Sequence, residues 1–291
     1  MTTILITGAN GQLGQELQLA LNDENRYRLI NTDITTGYTT LDITNPGQVL
    51  QFCQQHQPDI IVNCAAYTAV DNAEDNPDTA RAINADAPAN LARAAKQTGA
   101  RMIHVSTDYV FNGHACTPYT ETDPTDPNSV YGQTKLDGER QLLQILPHAV
   151  IIRTAWLYSP HGRNFVKTML NLGQQKDQLR VVFDQVGSPT YALDLAHAIK
   201  TVIDAQQWRP GVYHYSNEGA ISWFDFTKAI HQLAGINNCQ VEPCRTDEFP
   251  AKAHRPAYSV LDKQKFKSTF NTTVPYWRDS LQHCLERLFN S

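Results

Sequence analysis

The sequence has few of the features that would place a protein on nucleic acid or in a membrane. Charged residues make up 18% of its 291 residues, and the formal net charge is −5. Lysine and arginine are scattered, so no basic stripe indicates nucleic-acid binding and no basic amphipathic helix indicates a membrane surface. No window approaches the roughly 18 consecutive apolar residues of a membrane span. We therefore expect no nucleic acid and no membrane among the partners.

Cysteine is also scarce, and its spacing matches neither a metal site nor a disulfide framework. The six cysteines include no Cys-x-x-Cys pair, and no histidines stand at zinc-ligand spacing from them. The first apolar run, residues 3–7, is too short for the core of a signal peptide and lacks a basic leader. We expect free thiols, several of them buried, in a cytoplasmic protein without a bound metal.

What the sequence does contain is a regular alternation of short apolar runs and helical segments. Predicted strands lie at residues 3–7, 27–32, 59–63, 102–106 and 149–153. Predicted helices lie at 16–21, 46–55, 77–98 and 130–146. Strands that alternate with helices and are apolar on both faces predict an α/β fold with a Rossmann-like, doubly wound parallel sheet.

The alternation fades after residue 160, which suggests a second, smaller unit. Candidate helices there are 164–174, 191–205, 222–235 and 276–289, and candidate strands are 179–183 and 211–215. We predict a dinucleotide-binding domain over residues 1–160 and a mainly substrate-binding lobe over residues 161–291, with some elements of about 185–215 returning to the main sheet. The active site is expected beyond the carboxyl ends of the strands.

Three glycines, Gly8, Gly11 and Gly14, follow the first predicted strand and open a helix. Glycine permits a tight turn and lets backbone N–H groups approach a pyrophosphate, and the helix N-terminus adds partial positive charge. A glycine triplet alone is weak evidence. Its place in a strand–turn–helix unit favours a dinucleotide site over a plain turn.

An acidic residue, Asp33, ends the second predicted strand roughly 20 residues after the glycines, where a carboxylate can hydrogen-bond the adenosine ribose. It would repel a 2′-phosphate, and no arginine follows directly to offset it. This favours NADH over NADPH. The alternative interpretation is a carboxylate that only caps its own loop.

Tyr131 and Lys135 stand four residues apart in a predicted helix and therefore share one face. A free phenol has a pKa of about 10, and a nearby ammonium lowers it. Such a pair can protonate a carbonyl oxygen as hydride arrives at carbon, and Lys135 can also hold the nicotinamide ribose. The spacing alone is more typical of a solvated helix face, but an upstream dinucleotide loop favours catalysis.

A third catalytic group is expected at the end of the fourth predicted strand. Thr107 can hydrogen-bond the substrate carbonyl and orient it, and Asp108 can bind a sugar hydroxyl. Ser106 lies on the opposite face of the strand and is the weaker candidate. The alternative is that these residues simply end a strand.

These motifs resemble the extended short-chain dehydrogenase/reductase superfamily and, within it, the dTDP-4-dehydrorhamnose reductase family. The superfamily resemblance is carried by 8–14, 63–66, 106–111 and 131–135, and the narrower one by 66–74, 153–158, 164–165, 184–190 and 255–256. It extends over nearly the whole chain. It implies an oxidoreductase that uses NADPH or NADH to reduce the C4 ketone of dTDP-4-dehydro-L-rhamnose, a nucleotide sugar, in dTDP-rhamnose and O-antigen biosynthesis.

The resemblance also implies a role for individual residues. Those expected at the cofactor are Gly8, Asn10, Gly11, Gln12, Leu13, Gly14, Asp33, Asp42, Ile43, Cys64, Ala65, Ala66, Tyr131 and Lys135. Thr107, Tyr131 and Lys135 would be catalytic. Thr107, Asp108, Trp156 and Arg255 would bind the substrate, with Trp156 as an apolar wall and Arg255 at the diphosphate.

The chain departs from the family pattern at two places. Asn72 stands where the family commonly has lysine. Some members dimerise through a magnesium site built from glutamates, and Arg287 falls where one of those glutamates would be, although Glu16 is retained. We therefore expect no Mg²⁺ site, and either a monomer or a homodimer.

Two other functions fit the same motifs. One is a sugar-nucleotide epimerase or dehydratase of the same superfamily, since Asp108 beside Thr107 is an arrangement expected of a 4,6-dehydratase. The other is a non-catalytic regulatory subunit, because the methionine adenosyltransferase beta subunit is similar along the chain. Stoichiometric consumption of NAD(P)H by a keto-sugar nucleotide would distinguish the reductase from both.

Overall fold

The apolar runs form one seven-stranded sheet in a computed structural model that describes residues 1–249 and 251–290. The strands are β1 (Thr2–Thr7), β2 (Tyr27–Asp33), β3 (Thr39–Thr40), β4 (Ile60–Asn63), β5 (Arg101–Thr107), β6 (Val150–Thr154), β7 (Leu157–Tyr158), β8 (Gln178–Val182), β9 (Val186–Gly187), β10 (Thr190–Tyr191), β11 (Gly211–His214), β12 (Ile221–Ser222) and β13 (Gln240–Cys244). The helices are α1 (Gln12–Ala20), α2 (Pro46–His56), α3 (Val70–Asp75), α4 (Pro77–Arg81), α5 (Ala87–Thr98), α6 (Val130–Ile145), α7 (Phe165–Gln175), α8 (Ala192–Asp204), α9 (Trp223–Leu233), α10 (Gln264–Phe270) and α11 (Trp277–Phe289).

The main sheet has the order β11-β6-β5-β4-β1-β2-β3, and every pair of neighbours is parallel. Alternate residues of its strands enter two separate cores: Ile4 and Ile60 pack with α1 and α8, whereas Leu5 and Ile61 pack with α2 and α5. A strand that is apolar at every position is what such a two-sided sheet requires. The predicted doubly wound α/β fold is confirmed.

The order of the strands reverses at β1, which lies between β2 and β4. In open parallel sheets a crevice forms at such a switch point, outside the carboxyl ends of the strands. The glycine segment after β1 and residues 64–66 after β4 meet there.

The predicted helix at 77–98 is present but interrupted by a π-helical turn, Ala82–Asp86. Inside this turn the Asn84 amide accepts from the Tyr67 N–H at 2.9 Å and donates to the Tyr67 carbonyl at 3.1 Å. Gly138 of α6 packs directly on it, since a Cβ there would lie 2.1 Å from the Asn84 carbonyl oxygen. The turn thereby fixes the segment that follows β4. Such π-bulges occur frequently at functional sites.

The later residues build a third core around α7, α9 and α11, with the parallel pair β8–β13 on its flank. Two later elements lie on the main sheet instead: β11 extends it beside β6, and α8 packs on α1. The helix α10 and the short strands β3, β7, β9, β10 and β12 had no counterpart in the sequence interpretation. The assignment of residues 1–160 and 161–291 as functional domains stays a prediction.

The cysteines and the lengths of the helices are two further features of the structure. All six cysteines are free, and four of them are buried. No helix in the two described ranges has the length and apolarity needed to cross a bilayer.

Candidate active site

The glycine segment forms a tight turn against the end of β4. Gly8 has φ +68°, and a Cβ on it would lie 2.7 Å from Ala65 Cα. A Cβ on Gly14 would lie 2.3 Å from the Gly8 carbonyl oxygen. Among the described residues no side chain caps the first turn of α1, whose N-cap is Gly11. Its backbone N–H groups are therefore available to a pyrophosphate.

Asp33 caps its own loop and also contacts the glycine turn. Its carboxylate accepts from the Asn10 N–H at 3.0 Å, in the glycine turn, and from the N–H and hydroxyl of Thr35, both at 3.1 Å. The loop cap therefore also holds the carboxylate beside the turn, at the carboxyl end of β2.

The other expected adenosine contacts, Asp42 and Ile43, follow β3. Asp42 caps its own loop, since it accepts from the N–H and hydroxyl of Thr44 at 2.9 and 2.7 Å. The Ile43 side chain is buried in the core. Leu13 is buried as well, so Ile43 and Leu13 can offer a cofactor little besides backbone groups.

Gln12 ties the start of α1 to the later part of the chain. Its amide oxygen accepts from Asn164 Nδ2 at 2.9 Å and from the Ser159 hydroxyl at 3.3 Å. Asn164 also caps α7 by accepting from the Lys167 N–H at 3.1 Å. The glycine turn and the start of α7 are thereby held together.

Cys64, Ala65 and Ala66 leave the sheet at the end of β4, where the buried Asn63 fixes their path. The side-chain oxygen of Asn63, Oδ1, accepts from the Thr7 hydroxyl at 2.6 Å and from the Ala65 N–H at 3.2 Å. Burial raises the pKa of the Cys64 thiol to about 12, although the Lys135 amine opposes this shift. Cys64 therefore stays a neutral thiol.

Thr107, Asp108 and Tyr131 come together beyond the end of β5. The Thr107 hydroxyl donates to Asp108 Oδ1 at 2.9 Å and lies beside the Tyr131 hydroxyl. Tyr131 lies in the first turn of α6, and its ring meets the edge of Tyr109 at 5.4 Å between centroids. Gly132 permits this approach, since a Cβ there would lie 2.2 Å from the Tyr109 carbonyl oxygen.

Lys135 lies behind this cluster and is buried, with 2% of its surface exposed. Its amine donates to the Val105 carbonyl at 2.7 Å and lies 3.4 Å from His104 Nε2. Burial lowers the pKa of Lys135 to about 8, against the opposing effects of Glu139 and Cys64.

Burial raises the pKa of Tyr131, and the neighbouring Thr107 hydroxyl opposes this shift. The Tyr–Lys spacing predicted the opposite direction, which is wrong for the protein without a bound cofactor. The physical reason is that the Lys135 amine bonds to Val105, so desolvation of the phenolate dominates. The Tyr131 phenol is therefore protonated and suited to donate.

Trp156 has an unusual backbone conformation, with φ +49°. Its indole is stacked on Trp223, with ring centroids 3.4 Å apart and planes at 8°. Gly187 also packs against the indole, since a Cβ there would approach Trp156 Cε2 to 2.6 Å and Ser259 Oγ to 2.7 Å. A left-handed conformation at a tryptophan persists only where the surroundings impose it, and functional sites are where such conformations cluster.

Asp108 and Arg255 complete the substrate-side residues. Burial raises the pKa of Asp108 to about 6. The Arg255 guanidinium donates to Asp71 Oδ2 at 2.7 Å and reaches the Tyr109 hydroxyl at 3.4 Å. The neighbouring Asn72, which replaces the family lysine, is exposed. Arg255 is thus near the catalytic cluster, with one carboxylate already bound to it.

The sequence profile of the RmlD substrate binding domain family matches residues 1–290. The chain belongs to this family. It is 39% identical to the dTDP-4-dehydrorhamnose reductase of Aggregatibacter actinomycetemcomitans over 292 aligned residues, which cover 97% of this chain and 98% of that one. The resemblance inferred from the motifs is confirmed.

Solved structures of the same family share the fold over its full length. A dTDP-4-dehydrorhamnose reductase from Clostridium acetobutylicum has a TM-score of 0.93 and 46% identity, covering 99% of this chain and 100% of that one. The Bacillus anthracis dTDP-4-dehydrorhamnose reductase, solved in complex with NADP, also has a TM-score of 0.93, with 40% identity and the same coverage.

Members of the family can carry a glutamate near the C-terminus. At that position this chain has Arg287, which forms an ion pair within the protein. Arg287 of α11 contacts both carboxylate oxygens of Glu16 of α1, at 2.9 and 2.8 Å, and also the Tyr191 hydroxyl. Glu16 is fully buried. Within residues 1–249 and 251–290 no three His, Cys, Asp or Glu side chains are grouped so as to hold a metal ion.

The structure therefore places the predicted residues in two adjoining groups. The glycine turn, Asp33 and residues 64–66 line the crevice at β1, and Thr107, Asp108, Tyr131 and Lys135 lie beside it at the end of β5. Sequence reasoning did not assign a role to several residues that support them, which are Asn63, His104, Asn164, Trp223 and Gly187. A polar residue inside an apolar strand, as at Asn63 and His104, was the available signal.

Proposed function

We propose that this protein reduces the C4 ketone of dTDP-4-dehydro-L-rhamnose to the alcohol of dTDP-L-rhamnose, with NADPH or NADH as the hydride donor. The observation that carries the proposal is the grouping of the Thr107 and Tyr131 hydroxyls beside a buried lysine and a dinucleotide-type glycine turn. The full-length similarity to dTDP-4-dehydrorhamnose reductases supports the substrate, and the relative solved with NADP supports the cofactor.

The crevice fits a nicotinamide dinucleotide. A Cβ on Gly8 or Gly14 would collide with backbone, so the turn is as tight as a pyrophosphate contact needs. The turn would hold the pyrophosphate through its backbone, Asp33 the adenosine ribose, and Lys135 the nicotinamide ribose. When bound, the nicotinamide supplies a hydride to C4 of the sugar.

The protein supplies the proton. The Thr107 hydroxyl would hydrogen-bond the C4 carbonyl oxygen, and the Tyr131 phenol would give that oxygen its proton as the carbon accepts hydride. The ketone thereby gains a hydride and a proton, and a phenolate remains on Tyr131. The ammonium of Lys135 stabilises negative charge in this buried site, where Coulomb interactions are strong.

The substrate is proposed to lie between the catalytic cluster and the later part of the chain. Trp156 offers a flat apolar surface to the C5 methyl group, Asp108 would accept from a sugar hydroxyl, and Arg255 would bind the diphosphate with its planar fork. Since Asp71 already binds Arg255 at 2.7 Å, the diphosphate would compete with or share that contact. We also propose that residues 1–160 form the dinucleotide-binding domain and that residues 161–291 form the mainly substrate-binding lobe.

A second candidate is a 4,6-dehydratase, because a buried acid with a raised pKa, Asp108, stands beside Thr107. That reaction returns the hydride to the product and consumes no NAD(P)H. We would mix the protein with enzymatically prepared dTDP-4-dehydro-L-rhamnose and follow the absorbance of reduced nicotinamide. Stoichiometric oxidation with either cofactor supports the reductase, whereas conversion of dTDP-glucose, offered in a parallel assay, to a 4-keto-6-deoxy product without net oxidation of reduced nicotinamide supports the dehydratase.

Asp33 is expected to set the choice between NADH and NADPH. Asp33→Ser removes a charge that repels the 2′-phosphate, so kcat/KM for NADPH relative to NADH should rise about tenfold, which corresponds to a Coulomb repulsion of ~1.4 kcal/mol. The substitution also removes the contact with the Asn10 N–H and loosens the turn. This loosening lowers kcat/KM for both cofactors and leaves the ratio of the two unchanged. Asp23→Ser, which removes a loop cap on Asn25, is the control. An unchanged ratio would contradict the role of Asp33.

Gly187 is expected to control the position of Trp156. In Gly187→Ala the indole must shift, because the new Cβ would meet it at 2.6 Å, at a cost of about 1–3 kcal/mol. The KM for the sugar nucleotide should rise about tenfold or more, while the KM for NAD(P)H stays unchanged. Gly47→Ala, whose Cβ would find its nearest neighbour at 3.5 Å, is the control. If the KM for the sugar nucleotide were equal in the two variants, the proposed contact between Trp156 and the substrate would be wrong.

We further propose that the protein acts in the cytoplasm, where NAD(P)H and nucleotide sugars are available, as a monomer or a homodimer. Gel filtration with light scattering distinguishes the monomer from the homodimer directly.

A further inference from the structure

A buried histidine connects the crevice to the catalytic lysine. His104 of β5 is fully buried, and its side chain lies between Asn63 of the neighbouring strand β4 and Lys135 of α6. Asn63 Nδ2 is 3.0 Å from His104 Nδ1, and Lys135 Nζ is 3.4 Å from His104 Nε2. An imidazole in a fully buried strand position needs partners for both nitrogens, and these are the two it has.

The orientation of Asn63 determines which imidazole nitrogen carries the proton. The Ala65 N–H can only donate, and it points at the Asn63 oxygen at 3.2 Å; the Thr7 hydroxyl donates to the same oxygen at 2.6 Å. The Asn63 amide nitrogen must then face His104, to which it donates. His104 Nδ1 is therefore the acceptor, and the proton of the neutral imidazole is on Nε2.

The Nε2–H bond consequently points at the Lys135 amine. An ammonium has three donors and no lone pair, so it would oppose this N–H, whereas a neutral amine has one lone pair that can accept it. The amine can at the same time donate to the Val105 carbonyl, as it does at 2.7 Å. The contact is thus favourable only when Lys135 is neutral.

We propose that His104 is a positioning residue that acts through Lys135, by presenting its Nε2–H to the lysine amine and destabilising the ammonium form. The proposal rests on the proposed function for its part in the reaction. An ammonium that is easily deprotonated returns a proton readily to the Tyr131 phenolate left after each reduction. His104 itself touches neither the substrate nor the reacting atoms.

The charges around the pair are consistent with this role. Burial lowers the pKa of Lys135 to about 8, and burial together with Lys135 lowers the pKa of His104 well below its ordinary value. The imidazole therefore stays neutral over the range of an activity assay. The other ionisable groups whose charges act on the pair are Cys64 after β4 and Glu139 on α6, and Glu139 is itself paired with Arg153 of β6.

The test is to titrate Lys135 directly in the free protein. When the protein carries lysine labelled with ¹³C at Cε, each lysine side chain gives one resonance. The resonance that disappears in Lys135→Met is that of Lys135. In His104→Gln the amide oxygen can accept from the ammonium, so the pKa of Lys135 should rise by about one unit, a tenfold change in proton affinity. His104→Phe keeps the ring and removes the N–H, and a smaller rise is expected.

A merely structural role for His104 would not produce this shift. His231→Gln is the matched control, since His231 is also buried and bonds to the Met169 carbonyl at 3.0 Å, in the third core. The alkaline limb of the pH profile of kcat should move upward in His104→Gln and stay in place in the control. An unchanged pKa of Lys135 in His104→Gln, or in His104→Phe if the first does not fold, overturns the proposal.

The two proposals fail separately. If the wild-type protein does not oxidise NAD(P)H with the keto-sugar nucleotide, the proposed reaction is wrong, and the titration of Lys135 still decides the role of His104. If the wild-type protein is active and the titration shows no shift, the reaction stands and the positioning role is wrong.

Discussion

Tyr131→Phe is expected to lower kcat by about 10²–10⁴-fold, the usual contribution of a positioned proton donor. The substitution removes one oxygen and keeps the ring, which packs edge-on against Tyr109 at 5.4 Å. The glycine turn and Asp33 are not touched, so the Kd for NADPH, measured by its fluorescence, should change less than twofold. A loss confined to kcat would identify the hydroxyl as a group needed in the transition state rather than in binding.

The matched control is Tyr213→Phe. Tyr213 lies on β11, and its ring also contacts an aromatic ring edge-on. Its hydroxyl donates to the Arg209 carbonyl at 3.1 Å. Its removal should leave kcat unchanged. Near-full activity of Tyr131→Phe would rule out the proton donor proposed above, and a parallel loss of cofactor binding would indicate a structural effect instead.

Arg287→Met is expected to have the largest effect on stability. Glu16 is fully buried, with 0% of its side chain accessible to water. Its charge partner is Arg287, whose Nη1 lies 2.8 Å from Glu16 Oε2. Removal of one member of a buried pair leaves an uncompensated charge and typically costs about 3–5 kcal/mol. Since 34% of the Arg287 side chain is accessible, water can partly replace it, and we expect about 3 kcal/mol in the free energy of unfolding, measured with urea.

Two variants make this prediction specific. Arg278→Met lies on the same helix, and its guanidinium reaches only Gln232 at the surface, so it should cost less than about 0.5 kcal/mol. In Glu16→Gln/Arg287→Met the buried charge is absent, and much of the lost stability should return. The interpretation would be contradicted if Arg287→Met were no more harmful than Arg278→Met.

The glycine turn and the Tyr131–Lys135 pair could be predicted because their signals are local. A strand, a glycine turn and a helix follow one another without interruption, and a spacing of four places two side chains on one helical face. The main strands were predicted for the same reason, since an apolar run with β-branched residues is itself the requirement for a strand buried on both faces. The short strands β7, β9, β10 and β12 lack such runs and exist only through their pairing partners.

The effect of the Tyr–Lys pair on acidity could not be read in this way. Helical spacing gives the side on which Lys135 lies, whereas the pKa of Tyr131 depends on how much water surrounds the phenol and on which acceptor takes the ammonium. That acceptor is the Val105 carbonyl, and only the packing of α6 on β5 reveals it.

By itself, then, the sequence determined the doubly wound class, the glycine turn after β1, the Tyr131–Lys135 pair on one face of α6, and the family. The tertiary structure alone decided which groups support them: Asn63 orienting His104 toward Lys135, Trp223 and Gly187 enclosing Trp156, Asp71 holding Arg255, and Arg287 neutralising Glu16 from the far end of the chain. Each of these is a contact between elements distant in sequence. Its partners are chosen by packing and by the need to satisfy buried polar groups, and no local pattern records either.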